Sequence, residues 1–421
     1  MKKMRITLAL LSLVQLSYAQ VYVEKQTRHR FAQLNFGVDV QTNFGGTTAF
    51  LNAQGEKQTL DFEPFYRPRL IFGGTHFWGH ADFYVAFPVF HTVMKAQNQT
   101  IDYNNGVETV FKYYPWRIGH HKIRPFVGIG LTVYAYEQDN DLLSYGDGPD
   151  LNYTTVPVLA GFTFNHKQRL IELGFSWNYS NQRDYYISKD QKAKLKTPPF
   201  HVNLSYRFQV ETTLSAEKNW ESGRTKLVTE KLAEMKRLNS FYIGAGFSSA
   251  FWTTKSSYNK ENHPYMEKFP VSVMPDLAVG YYLHQPDLNM AMCYRGYREQ
   301  AGAYGTDQKA TRRSLGVEVT KNIGDYHGFV PFIGPILSWE YLRFEERIKG
   351  KNHLLVSDHK MGYGVTFGWD IRPNRLQAWI LRTNLRWFPK LDLEVENGTS
   401  VAFGNIEFNF IQLIVYPGRM M

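Results

Sequence analysis

Charged residues recur at alternate positions of strand-like segments, where they could be either reactive groups or buried ion pairs. In the first half Arg67, Arg69 and Arg124 stand against Asp39, Glu108 and Glu172; in the second, Arg382 and Arg386 stand against Asp276, Glu318 and Glu340. Where the first half has Arg69, the matching place in the second has Asp276. The segment that carries Glu172 has a counterpart carrying Arg382 and Arg386. An ion buried without a partner is strongly unfavourable, so the exchange reads as charge compensated within each half, Arg69 against Glu172 and Asp276 against Arg382. On this reading the charges form a structural lumen network with no catalytic role.

The remaining reactive constellations are weaker. His201 and Ser205 share one face, as a nucleophile and its base would, but four residues along a strand span roughly 13 Å, too far for proton transfer. Asp139, Asp141, Asp147 and Asp150 crowd one loop without the spacing of a standard calcium loop, and a solvated loop is the expectation. His120-His121 is a pair too sparse for a metal site. Gly128-Ile129-Gly130 and Gly244-Ala245-Gly246 lie inside strand-like segments and open no helix, so they read as wall glycines, not nucleotide fingerprints. Cys293 stands alone and excludes an internal disulfide. No cofactor, metal or catalytic residue is expected.

The segments that position these residues alternate with a period of two. Leu34, Phe36, Val38 and Val40 interleave with Asn35, Gly37, Asp39 and Gln41; Ile171, Leu173, Phe175 and Trp177 interleave with Glu172, Gly174, Ser176 and Asn178. Phe200, Val202, Leu204, Tyr206 and Phe208 interleave with His201, Asn203, Ser205 and Arg207. A strand with one apolar and one polar face requires this pattern. Aromatic residues make up 16% of the chain, with 27 Tyr and 30 Phe, yet mean hydropathy is −0.39. A wall that meets lipid outside and stays polar inside has both properties. Connections also alternate: long stretches at about 43–64, 91–105, 137–153 and 181–198 separate short turns near 76–80, 115–122 and 165–168. That sorting suits a barrel whose two rims face different compartments.

The N-terminus gives the compartment. Met1-Lys2-Lys3-Met4-Arg5 precedes an apolar run from Ile6 to Leu16 and then Ser17-Tyr18-Ala19. The run is too short to span as a helix and has the form of a secretory signal cut after Ala19. The formal charge of +10 would suit anionic lipid or polysaccharide; in an exported chain nucleic acid is not an expected partner.

The pattern then recurs, with its long and short connections expected in the same order. Gly106-Val107-Glu108 returns as Gly316-Val317-Glu318, and Arg124-Pro125-Phe126-Val127-Gly128-Ile129-Gly130 as Val330-Pro331-Phe332-Ile333-Gly334-Pro335-Ile336. Arg169-Leu170 returns as Arg375-Leu376, Phe36-Gly37 as Ile243-Gly244, and Pro68-Arg69-Leu70 as Pro275-Asp276-Leu277. This predicts a signal peptide at 1–19, eight-strand repeats at 20–210 and 239–421, and a linker at 211–238. Val228, Leu232 and Met235 predict an amphipathic helix over Thr225–Leu238.

The segment Gly106-Val107-Glu108, Lys112-Tyr113-Tyr114-Pro115 and Arg124 to Gly130 resembles the small outer-membrane barrels of the OmpX/OmpW-like superfamily. His201-Val202-Asn203-Leu204-Ser205-Tyr206-Arg207-Phe208 is similar to their closing strand, which implies recognition by the barrel-assembly machinery. The second repeat departs from the pattern at Pro335 and at its end, Tyr416-Pro417-Gly418-Arg419-Met420-Met421. The expected fold is all-β, a transmembrane antiparallel barrel in the bacterial outer membrane. Two tandem eight-strand barrels and one sixteen-strand barrel remain open. Eight strands enclose a space that side chains fill, whereas sixteen leave an aqueous channel. The expected role is accordingly non-enzymatic, a surface or envelope protein in contact with outer-membrane lipid. The alternatives are a passive pore for small polar solutes or, further off, a lipid-modifying enzyme.

Overall fold

A computed structural model describes residues 30–90, 92–211, 229–326, 328–372 and 378–420. The predicted signal peptide lies outside these residues. The chain divides into two compact units, the first Met1–Tyr136, Tyr153–Ile187 and Gln191–Trp220, the second Glu137–Asn152, Ser188–Asp190 and Glu221–Met421.

Eight long strands build the wall of the first unit. They are β1 (Ala32–Phe44), β2 (Phe65–His76), β3 (Ala81–Pro88), β4 (Gln99–Tyr113), β5 (Lys122–Asn140), β6 (Val158–His166), β7 (Arg169–Trp177) and β8 (Phe200–Glu211). Each pairs antiparallel with its sequence neighbour, β8 pairs with β1, and β4 pairs with β5, which makes the sheet ring-like. In β7 buried and exposed residues alternate without exception. Phe175 and Trp177 point out of the ring while Glu172 and Ser176 point in.

The connections expected to be loops hold structure of their own. Thr47–Leu51, Lys57–Asp61, Gln182–Tyr186 and Lys192–Lys196 form a separate four-stranded sheet. Its residues reach the polar interior: the Thr48 and Tyr136 hydroxyls meet at 2.5 Å, and Tyr153 donates to Thr197 Oγ1 at 2.9 Å. Loop hydroxyls thus give buried tyrosines hydrogen-bond partners.

The second unit is a closed antiparallel barrel of eight strands. They are β9 (Ser240–Trp252), β10 (Ser272–Leu283), β11 (Leu288–Ala303), β12 (Thr306–Asn322), β13 (Phe329–Ile348), β14 (Lys351–Ile371), β15 (Trp379–Trp387) and β16 (Asn405–Val415). Closure is by β16 on β9. A short helix, Ser257–Asn262, lies in the β9–β10 connection, its first turn capped by Ser256 Oγ accepting from Asn259 N–H.

Here one expectation fails. The second half does not repeat the first half's long loops throughout. β11 and β12 are joined by Tyr304-Gly305 alone, and β13 and β14 by Lys349-Gly350. All four residues take positive φ, 50° and 78° in one turn and 48° and 75° in the other, the left-handed conformation that suits two-residue hairpins. The chain between is strand. β13 runs for 20 residues and β14 for 21, about twice the length that crosses a bilayer. The linker helix ends sooner than expected: residues 229–234 are helical, Leu232 is buried, and Met235, past the helix end, is exposed, while Thr225 to Val228 lie outside the described residues.

Candidate functional site

The densest chemistry lies inside each wall. In the first unit Arg69 on β2 stands directly across from Asp39 on β1. Its Nε donates to Asp39 at 2.8 Å and its Nη2 at 2.5 Å, and Nη1 reaches Glu108. Glu108 also accepts from Thr132 Oγ1 at 2.9 Å. A Cβ at Gly130 would come within 2.7 Å of Glu108 Oε1, so the inward glycine makes room for the carboxylate. A second set joins Arg207 to Asp82 at 2.7 Å and to Glu172 at 2.8 Å, with Lys112 also on Glu172. Lys112 and Arg207 lie over the Tyr84 ring, 4.4 and 4.8 Å from its centre, which adds cation–π attraction.

The second unit carries a longer chain of ion pairs. Arg386 contacts Asp276 at 2.6 Å and Glu318 at 2.5 Å. Arg295 lies 3.3 Å from Glu318 and 2.8 Å from Glu407. Arg312 continues to Glu407 at 2.8 Å and grips both oxygens of Glu340, each at 2.8 Å. Lone pairs left over are taken by hydroxyls and amides: Ser248 and Asn409 on Asp276, Ser314 and Ser338 on Glu340. A separate group sets Arg372 and Arg382 on Asp370 at 2.7 and 2.8 Å. These side chains are almost wholly shielded from solvent, where ions are held by their partners. Hydrogen bonding is not complete, since Arg207 Nε, Arg295 Nε and Nη2 and Glu407 Oε2 belong to ion-paired side chains but lack a well-aligned hydrogen bond.

Most of the charges singled out from sequence lie in these networks, but two predicted pairs do not form and two residues, Arg124 and Arg67, lie elsewhere. Arg69 is held by Asp39 and Glu108, not by Glu172, because strand register sets Asp39 straight across from it. Arg382 faces Asp370 across β14–β15 and leaves Asp276 to Arg386. Arg124 sits at the rim, its Nε donating to the Arg117 carbonyl at 3.1 Å, since it stands near the beginning of β5. Arg67 is inside, donating to Thr92 Oγ1 and to the Tyr103 carbonyl, both at 3.1 Å. Asp82, Lys112, Arg207, Arg295, Arg312, Asp370, Arg372 and Glu407 were missed. Strand parity could have found several of them: Lys112 lies four residues from Glu108, and Arg207 shares its face with His201.

The weaker candidates are held by neighbours in the fold. The His201 ring contacts Asn43 Oδ1 at 2.6 Å and the Tyr134 hydroxyl at 3.1 Å, as part of the wall's polar lining. His120 accepts from Arg30 at 2.7 Å, and His121 lies 3.2 Å from His166. Burial, with Arg30, His121 and His166 alongside, holds the His120 imidazole below its ordinary pKa. Among the described residues no three His, Cys, Asp or Glu side chains come close enough to share a metal ion. The Arg375-Leu376 match lies outside the described residues.

No family model matches this chain, and no curated protein matches it either. Among solved structures it is similar to neisserial surface protein A, with 20% identity over 42% of this chain and 98% of that one, at a TM-score of 0.30. It is also similar to an outer membrane channel from Pseudomonas putida F1, with 10% identity over 91% of this chain and 95% of that one, at a TM-score of 0.21. The toluene transporter TbuX of Ralstonia pickettii is a third, with 8% identity, 92% and 90% covered and a TM-score of 0.19. Likeness at this level leaves the argument to the chain's own residues.

Proposed function

We propose that this chain is a bacterial outer-membrane protein of two closed eight-strand barrels related by internal duplication, serving as a non-enzymatic surface or envelope component. The observation that carries this reading is that β8 returns to β1 and β16 to β9, while each interior is packed with ion-paired side chains. An interior filled in this way offers no wide aqueous path for solutes. Duplication is supported by ordinal position. Glu108 and Glu318 both lie on the fourth strand of their wall, Phe126 and Phe332 on the fifth, Arg69 and Asp276 on the second. Placement in lipid is supported by the outward faces, where Leu337, Trp339, Phe175 and Leu204 are exposed, a cost in water that lipid removes. Insertion would use the barrel-assembly machinery, reading β8 as a closing strand.

Conductance across planar bilayers tests the role. The mature chain is expected to insert and give no stable openings; large, steady openings would replace the filled-barrel reading with that of a passive pore. Residues 20–210 expressed alone are expected to fold into a compact, heat-resistant species. Failure of that fragment to fold would favour a single sixteen-strand wall.

A further inference from the structure

The outward face of β11–β14 changes character in register. One cross-strand row holds Tyr294, Leu315, Trp339 and Met361. Two residues along each strand the row becomes Gly296, Arg313, Tyr341 and His359, and two further on it becomes Arg298, Thr311, Arg343 and Ser357. Since side chains on one face are spaced by two, an apolar row is followed at once by two rows carrying three arginines. The wall is concave there. A groove of about 850 Å³ is lined by Tyr294, Arg298, Arg313, Tyr341, Arg343 and His359 among others. Gly296 opposes Arg313 and leaves the space above that guanidinium open.

Charge in the groove is in excess of what the protein balances. Arg343 meets Glu345 at 2.9 Å. Arg298 and Arg313, both exposed, have no ion partner among the described residues. These arginines differ from Arg295 and Arg312, which point inward and are paired.

We propose that this groove binds the phosphate-bearing headgroup of a lipid, with Arg298, Arg313 and Arg343 on the phosphate and acyl chains descending over Leu315 and Trp339. The inference rests on the membrane placement proposed above. Guanidinium forks match phosphate oxygens bidentately, and aromatic side chains favour the depth where headgroup meets hydrocarbon. A free phosphate would use only the arginine rows. Continuity with the apolar row favours the lipid, because one amphiphile satisfies both.

The test uses the full mature chain in phosphatidylcholine nanodiscs with diphosphoryl lipid A as probe, measured by the fraction of probe retained in native mass spectrometry. The double variant Arg298→Gln/Arg313→Gln is expected to lower apparent affinity about tenfold or more, with incorporation and heat resistance unchanged. Gly296→Leu should lower it too, by filling the groove without altering charge; a Cβ there already comes within 3.7 Å of Arg313 Cγ. Inorganic phosphate at matched concentration should not displace the probe. Equal retention by wild type and both variants, or displacement by inorganic phosphate, overturns the lipid site alone. A wild-type chain that does not enter the discs overturns the placement and the site together.

Discussion

The two interiors solve one electrostatic problem with different residues. Glu108 and Glu318 occupy the fourth strand of their respective walls, yet the first is neutralised by Arg69 from the second strand and the other by Arg386 from the seventh. Arg69 stands on the second strand of one wall and the acid Asp276 on the second strand of the other, whose cation comes from the seventh. The difference teaches that neutrality is held locally and that no one strand has to supply the cation. In a narrow ring an inward residue is within reach of several strands, so a carboxylate can be neutralised from more than one of them. The ends of the walls differ in a similar way. The first unit folds its long connections into a separate four-stranded sheet, whereas in the second β11–β12 and β13–β14 extend as strands and end in two-residue turns.

The comparison breaks most severely if a hub cation is removed. Arg386→Ala leaves Asp276 and Glu318 short of a partner in a shielded interior and should cost about 3–5 kcal/mol, read as a fall in the urea midpoint for unfolding from lipid. A mild effect would mean that the second interior is wet.

Next in size is a pair of double-mutant cycles in the first unit. Arg69 and Glu108 touch, and their coupling should be on the order of 1–3 kcal/mol; Arg69 and Glu172, which belong to different ion sets, should couple far less. Equal coupling in the two cycles would show one undivided network instead of two sets.

Outward substitutions sharpen the contrast between the apolar and charged parts of β13. Leu337→Arg should cost about 2–4 kcal/mol, and Tyr341→Arg about 0–1 kcal/mol, because the penalty for a lipid-facing charge fades toward the interface. Phe175→Arg in the first wall should resemble Leu337→Arg. Refolding yields into vesicles would check the order, and a flat profile along β13 would remove the depth assignment.

The smallest effect concerns the mouth of the second barrel. Glu346 lies beyond the apolar part of β13, where outward neighbours are Glu345 and Arg347. Burial raises its carboxyl pKa, but hydrogen bonds from His263, Gln308 and Tyr258 outweigh that and hold it below the ordinary value. A depressed carboxylate contributes stability that is present above its unfolded pKa and lost as pH falls through the folded one. Protease protection of the 253–271 connection should therefore persist at neutral pH and weaken in acid below about pH 4.5, with Glu346→Gln weakening it already at neutral pH. Protection that does not change with pH in the native chain would separate Glu346 from the holding of that loop.

Much of the wall was legible in the residues because strand parity is a local property. Leu173, Phe175 and Trp177 against Glu172 and Ser176 define two faces whatever lies beside them, and a polar residue kept on one face over many strands implies an enclosed interior. Inverted turns were less legible. Tyr304-Gly305 and Lys349-Gly350 carry a glycine in the second place, but the flanking segments, Arg298 to Ala303 and Arg343 to Ile348, are charged or small enough to resemble loops. Their strand character comes from pairing on either side of the Thr306–Thr311 end of β12. The partner of each buried ion was not legible at all. Asp39 meets Arg69 because β1 and β2 pair in one particular register, and Arg386 reaches Asp276 because β16 closes on β9 and brings the seventh strand round. Sequence by itself settled the inward face for Asp39, Arg69, Glu108, Glu172, Asp276, Glu318, Glu340, Arg382 and Arg386, because each stands opposite in parity to apolar neighbours. Closure and register, which depend on all eight strands at once, decided which charge each would meet there.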